Sequence, residues 1–401
     1  MAARAYEYII IGGGLAGASA VAGIRELDKN GPVLLAGAEQ HLPYDRPPLT
    51  KKLWFGKKKV EDIFIKDRKY YDDNGVVLLT GRKIVSMNAR EKTVMDEKGE
   101  SHLYKKLLIA TGGIPRRLSI PGGELEGVCY FRTLDDYLST RQKSVQGASA
   151  TVIGGGFIGS EIAAALSVNG VNVTMLFPGD YIVDRVFPDY LGNAVQQEFM
   201  NRGVNIINRD TPASIERKGK SFAVRTGKGR LINSEIVIAG IGITPEAGLA
   251  ESASLGIENG IVVNEYLETS SPGIYAAGDI ANFPYTALGK RVRLEHWDNA
   301  LNQGKQAGRN MAGAHERYDY MPYFFSDLFE FGYEAVGDVD ARLETYADWT
   351  KENETGTVYY LEDGRVRGAM MCGIWEKVGQ ARELIKKAEH VDRLSLSGAI
   401  R

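Results

Sequence analysis

Residues 8–17 read Tyr-Ile-Ile-Ile-Gly-Gly-Gly-Leu-Ala-Gly, and residues 150–159 read Ala-Thr-Val-Ile-Gly-Gly-Gly-Phe-Ile-Gly. Each is a short apolar run of the kind a buried parallel strand presents, broken at once by glycines. After the first, Leu15 to Leu27 is an Ala-rich periodic segment that predicts a helix, and Pro32 to Leu35 opens a second strand. After the second, Gly154 to Gly159 reads as the turn, Ser160 to Val168 as the helix and Asn172 to Phe177 as the next strand. One supersecondary unit thus occurs twice in the chain, and the repeat predicts two nucleotide sites.

The spacing Gly12-x-Gly14-x-x-Gly17 recurs as Gly154-x-Gly156-x-x-Gly159. The first glycine permits a tight turn, the second lets backbone approach a pyrophosphate, and the third lets helix pack on strand. The phosphates then face the free N–H groups at a helix N-terminus. Alone, such a triplet is equally a small-residue turn between helices; the flanking strands and helices decide for the dinucleotide fold. Glu39 lies 22 residues after Gly17, where a ribose hydroxyl wants an acceptor. In the second copy Gly179 stands where that acid is usual, Asp180 follows one residue late, and Arg185 is near enough to serve a 2′-phosphate. NADH is favoured over NADPH, with both open.

Two further strand-to-glycine signals, Lys106 to Gly113 and Glu235 to Gly242, close the two blocks, and a short strand at 273–280 ends at Asp279. From about Tyr323 the pattern shifts to strands (Thr357 to Leu361, Val366 to Met371) and a charged helix, Glu376 to Glu389. The reading is an α/β protein: two Rossmann-like three-layer domains and a C-terminal α+β domain. The boundaries are 1–116 with 244–322, then 117–243, then 323–401.

A formal net charge of −2 supplies no global field for nucleic acid or an anionic membrane. No stretch reaches the roughly eighteen apolar residues of a membrane helix, and no targeting segment is read. The two cysteines, Cys129 and Cys372, exclude a disulfide framework and any CxxC site, and read as ordinary buried thiols in a reducing, cytoplasmic compartment. His41, His102, His296, His315 and His390 show no ligand spacing, so no metal is expected. Two features stay open on residues alone. Asp279 is either a helix N-cap or a carboxylate on a cofactor, and Pro43 to Lys51 is either a surface loop or part of a site.

With these pieces in hand the sequence resembles the flavoprotein pyridine-nucleotide reductases, within the branch of apoptosis-inducing factor and the NADH–ferredoxin reductases. The stretches that carry the likeness are LPYDRPPLTKKLWF (42–55), LLIATGGIPR (107–116), VIGGGFIGSE (152–161), IYAAGDIA (274–281), RLEHWDNA (293–300) and FFSDL (324–328). The resemblance implies a glutathione-reductase-like fold and FAD at the first fingerprint. There Gly12, Gly14, Gly17 and Glu39 would be joined by Arg46, Lys51, Thr111, Arg116 and Asp279, with Glu295, His296, Trp297 and Phe325 along the flavin. It implies NAD(P)H at the second, with Gly154, Gly156, Phe157, Gly159, Glu161, Asp180 and Gly242. Lys51 would pair with Glu161 near flavin N5, and Phe157 would cover the place where nicotinamide stacks.

The chain departs from the family pattern at Gly179 and at Glu246, where Asn is common, and lacks the long C-terminal insertion of the mammalian factor. Disulfide-reducing relatives carry cysteine after the first nucleotide unit, but residues 40–52 contain none. Electrons would therefore leave the flavin directly, to a ferredoxin or rubredoxin, a quinone or oxygen. The alternative is an NADH-sensing flavoprotein like apoptosis-inducing factor, with slow NADH oxidase activity, acting through conformation or dimerisation. Monomer and homodimer are both open.

Overall fold

The computed structural model describes residues 4–400, and the chain divides into two compact units. One comprises residues up to Asp45, Val60–Ile114 and Thr244–Pro322; the other comprises Arg46–Lys59, Pro115–Ile243 and the residues from Tyr323 on.

In the first unit Arg4–Ile11 lies between Val33–Ala36 and Ser101–Ile109, all parallel, with Val76–Leu79 and Ile274–Ala276 on the outer sides. Ile9, Ile10, Leu34, Leu35, Leu107 and Leu108 are wholly buried, so both sheet faces are covered and the strands read as runs rather than alternations. The helix Leu15–Leu27 has the bounds that its periodicity predicts. It lies against a second helix, Trp297–Met311, at backbone distance. A Cβ at Gly304 would sit 2.2 Å from the Ala16 carbonyl oxygen, one at Gly308 2.2 Å from that of Ala20, and one at Gly23 2.1 Å from that of Lys305. Small residues on both faces are therefore the condition for this pair to close.

In the second unit five parallel strands run in the order Asn205–Ile207, Asn172–Leu176, Ser149–Ile153, Ile236–Ala239, Val128–Cys129. A three-stranded antiparallel sheet, Pro212–Lys218, Ser221–Thr226 and Leu231–Ser234, packs Ile215, Phe222 and Val224 into one core with Val128, Ile153, Leu176 and Val237. The helix after the glycines spans Phe157–Val168, three residues earlier than the sequence suggests. The turn is shorter than the fingerprint, because Gly156 is already the N-cap and Gly159 lies within the first helical turn.

Residues from Tyr323 form a five-stranded antiparallel sheet in the order Tyr323–Leu328, Phe331–Gly337, Arg365–Cys372, Thr355–Glu362, Glu344–Lys351. The helix Val378–Lys387 covers it with Ala381 and Ile385. That helix stops where Ala388 turns left-handed at φ 50°, within the charged segment expected from the sequence.

Alanine in place of glycine inside a helix normally stabilises by about 1 kcal/mol. At Gly308 the new methyl meets a backbone oxygen that cannot rotate away, so G308A is expected to destabilise by about 1–3 kcal/mol. A lowered thermal midpoint confirms this; a raised one shows that the helices part freely.

Candidate functional site

The two glycine turns obey the same constraints position by position. Gly12 has φ +126° and a Cβ there would lie 2.1 Å from the Ala110 oxygen; Gly154 has φ +120° and would meet the Gly240 oxygen at 2.3 Å. Gly17 would strike the Gly12 oxygen at 2.1 Å, and Gly159 the Gly154 oxygen at 2.1 Å. The middle glycines differ in kind. Gly14 and Gly156 have nothing within 4 Å of such a Cβ, each is a helix N-cap without a side-chain cap bond, and neither helix carries an acid in its first turn. Backbone donors thus face open space at the positive end of a helix dipole, which suits a pyrophosphate in both turns.

Around the first turn, Glu39 accepts a 2.5 Å hydrogen bond from the Tyr44 hydroxyl. Thr111 donates to the Glu246 carbonyl at 2.9 Å. Asp279 is no helix cap, since a turn and the strand Ala281–Tyr285 follow it. Its carbonyl accepts from Arg293 at 2.9 Å, and Arg293 also pairs with Glu295 at 2.7 Å. The Trp297 indole donates to Asp45 at 2.7 Å. His296 is packed closely enough that desolvation lowers its pKa to about 4, against the pull of Asp279.

Gln303 escaped the sequence reading. It is fully buried, accepts the Gly278 N–H at 2.9 Å, and leaves its amide nitrogen without a partner among the described residues. Its only sequence signal is an amide in a small-residue helix. Asp96, Glu100 and His102 hold ligand-type atoms within 4.8 Å of one another. Arg82 lies on both carboxylates, at 2.6 and 2.9 Å, which makes the group an ion-pair cluster.

Of the segment Pro43 to Lys51, the part from Arg46 on lies in the second unit and forms a short 3-10 turn, Pro47–Thr50, whose prolines fix φ, ending at Lys51. Trp54 anchors it, donating its indole N–H to the Leu49 carbonyl at 2.6 Å and meeting Tyr137 edge-on at 5.3 Å. Lys51 is 7% exposed and Glu161 5%, and the ammonium lies 2.7 Å from Glu161 Oε1. Ser326 donates to the same oxygen at 2.5 Å, and Thr50 donates to Oε2 at 2.5 Å. These donors fill the lone pairs that a carboxylate taken out of water would otherwise leave unanswered. The Phe325 ring lies 5.2 Å from the ammonium, and Phe157 meets Phe324 at 5.6 Å. Thr50 and Ser326, both inside motifs quoted above, were not singled out from sequence, because a hydroxyl in a motif does not announce its acceptor.

The remaining expected residues have protein partners. Arg46 donates to the Arg132 carbonyl at 2.6 Å, and Arg116, exposed, donates to the Ile243 carbonyl at 3.1 Å beside Gly242, whose φ is +96°. Asp180 pairs with Arg209 at 2.6 Å on the surface. Both cysteines are free; burial pushes the Cys129 thiol up to about 11 and raises that of Cys372 further.

Two open phosphate cradles on parallel sheets define a protein built to hold two dinucleotides. A family model described as pyridine nucleotide-disulphide oxidoreductase matches residues 6–304, and one described as apoptosis-inducing factor, mitochondrion-associated, C-term matches residues 307–357. The chain belongs to the pyridine nucleotide-disulphide oxidoreductase family, in the branch of apoptosis-inducing factor and the NADH–ferredoxin reductases. It is an NAD(P)H-dependent flavoprotein oxidoreductase whose cofactors are FAD and NAD(P)H.

It is 32% identical to apoptosis-inducing factor 1, mitochondrial, of Dictyostelium discoideum over 97% of this chain and 80% of the relative. It is also 32% identical to the anthranilate 1,2-dioxygenase system ferredoxin–NAD(+) reductase component of Burkholderia cepacia, over 94% and 93%. The crystal structure of the covalent putidaredoxin reductase–putidaredoxin complex is similar at a TM-score of 0.91 and 29% identity, over 98% of this chain and 95% of that one.

Two outcomes test the electrostatics. Removing Glu161 alone leaves a buried ammonium, so E161A is expected to lose about 3–5 kcal/mol in urea unfolding, while K51M/E161A recovers most of it. Additive losses would show that the pair is not coupled. His296, lowered to about 4 from 6.5, is neutral in the fold down to that pH. Protonation then favours the unfolded chain, so stability of the flavin-free protein should decline as pH falls from about 6.5 and level off below about 4. The imidazole resonance should titrate near 4; a midpoint near 6.5 would refute the desolvation.

Proposed function

We propose that the chain takes hydride from NADH and passes electrons singly to a small ferredoxin- or rubredoxin-type carrier. The observation that carries this reading is the chemistry of the thiols. Cys129 and Cys372 are free and held protonated by burial, and residues 40–52 contain no cysteine. A thiol relay of the disulfide-reductase kind has no residues to use. The likeness to a ferredoxin–NAD(+) reductase component and to a reductase solved joined to putidaredoxin supports the same reading.

Bound FAD supplies a ring that accepts hydride and gives up electrons one at a time. The protein positions and charges its surroundings. Residues 1–116 and 244–322 form the FAD domain in this reading, 117–243 the NAD(P)H domain, and 323–401 the third domain. Gly12, Gly14, Gly17, Arg46 and Arg116 serve the FAD phosphates, and Glu39 its ribose. Thr111, Asp279, Glu295, His296, Trp297 and Phe325 line the flavin. Lys51 is the cation beside flavin N5, and Glu161, held by Thr50 and Ser326, fixes that ammonium. Gly154, Gly156, Gly159 and Gly242 make room for NADH, and Phe157 covers the nicotinamide place. Reduced thiols fit a cytoplasmic setting, and no described helix is long and apolar enough to cross a membrane.

A second reading, NADH sensing with slow oxidase activity, is favoured by the match of residues 307–357 to the C-terminal model of apoptosis-inducing factor. Anaerobic stopped-flow reduction by NADH, followed by mixing with ferredoxin, rubredoxin or oxygen, separates the two. Reoxidation faster with a carrier than with oxygen is the expected result. Indifference to every carrier would overturn the reductase reading and favour sensing.

A further inference from the structure

The internal repeat supplies its own ruler for the second nucleotide site. Strand Val33–Ala36 pairs with Arg4–Ile11 so that Ala36 faces Ile11, and Glu39 comes three residues later. Strand Asn172–Leu176 pairs with Ser149–Ile153 so that Leu176 faces Ile153, and three residues later comes Gly179. Glu39 and Gly179 are therefore equivalent positions. In such folds this place supplies the carboxylate that accepts from the adenosine ribose.

The structure shows what occupies the vacated space. A Cβ built on Gly179 would lie 2.1 Å from Asp184 Oδ2, with Oδ1 at 3.3 Å. The Asp184 carboxylate thus lies where a side chain at 179 would begin, and it forms no ion pair or hydrogen bond to the described residues.

We infer that Asp184 is the ribose-binding carboxylate of the second site, arriving from a neighbouring loop in place of residue 179, and that it sets the preference for NADH over NADPH. The inference rests on the second fingerprint being the NAD(P)H site, as proposed above.

The loop that carries Asp184 is tied down on every side. Val183 donates its N–H to the Gly155 carbonyl, inside the fingerprint, at 2.7 Å. It does so at φ +57°, a left-handed conformation that a β-branched residue adopts only under strain. Ile182 and Val183 are buried, and Val186 and Phe187 donate back to the Val183 carbonyl at 2.9 and 3.0 Å. Tyr360 donates to the Val186 carbonyl at 2.7 Å, and Ala341 to that of Arg185 at 2.9 Å. A strained residue bonded to the phosphate turn thus delivers the next side chain to Gly179.

The other charges nearby divide the remaining work. Arg209 donates its backbone N–H to the Gly179 carbonyl at 3.0 Å, so its guanidinium joins that of Arg185, next to Asp184 in the chain, as a cation a 2′-phosphate could meet. Asp180, the acid adjacent in sequence, pairs with the Arg209 guanidinium at 2.6 Å. Both groups are exposed, and a solvated pair of this kind yields readily to a phosphate. Discrimination therefore falls to Asp184, which accepts from a ribose diol and repels a phosphate in its place.

The test is equilibrium binding of NAD+ and NADP+ to the flavin-loaded protein, with kcat/KM for NADH and NADPH measured alongside and the flavin absorbance as a check on folding. D184S is expected to weaken NAD+ about ten- to a hundredfold, the range for a lost hydrogen bond to a charged group, while leaving NADP+ unchanged or tighter. G179E/D184S, which returns a carboxylate to the equivalent position, should recover NAD+ binding. The inference is overturned if D184S leaves NAD+ within twofold of the wild type, if it weakens both nucleotides equally, or if the double variant binds no better than the single. A wild-type protein that neither binds nor is reduced by either nucleotide would instead remove the reading on which the inference stands.

Discussion

Two carbonyl oxygens, those of Ala110 and Gly240, set the condition under which this chain can fold. Each points into the turn where a methyl would lie 2.1 to 2.3 Å away, so Gly12 and Gly154 must be glycine. Each turn, once closed, aims the first turn of a helix at open space in front of Gly14 or Gly156. Chemistry with phosphate-bearing cofactors follows from that arrangement, because the donors are backbone and cannot be mutated away. The sheets behind the turns serve to hold the oxygens still.

The buried pair of Lys51 and Glu161 answers a different demand. An ammonium and a carboxylate that are less than a tenth exposed gain little over a hydrophobic pair in stability. What the pair does provide is a positive charge fixed at one point, with Thr50 and Ser326 donating to the carboxylate and the Phe325 ring near the ammonium. The cysteines point the same way by contrast, since burial withholds the thiolate that a covalent relay would need. In the reading proposed above, the site works through a fixed charge and not through a thiol.

The parts of the molecule legible in sequence are those whose constraints are local. The helix Leu15–Leu27 and the paired strands could be read from periodicity and glycine spacing, because backbone sterics act within a few residues. The helix Phe157–Val168 began earlier than expected, since the third glycine of a fingerprint packs from within the helix and not before it. Gln303, Ser326 and Asp184 were missed for a common reason. Each acts on a backbone or side-chain group brought near by the fold, and no spacing rule records that neighbour. Gly179 was noticed as a gap, but the nearest acid, Asp180, turns instead to Arg209, and the one that reaches the gap is five residues away along the chain.

The bonds to Glu161 also bear on the order of events during synthesis. Its two hydroxyl donors lie 111 residues before it and 165 after it. A nascent chain released only as far as the end of the parallel sheet would hold this acid beside Thr50 and Lys51 with one lone pair unanswered, until the strand Tyr323–Leu328 left the ribosome. The Glu161 carboxylate therefore gains its full set of donors only when the chain extends through Ser326, and a polypeptide that stopped short of it would lack one of the two hydroxyls.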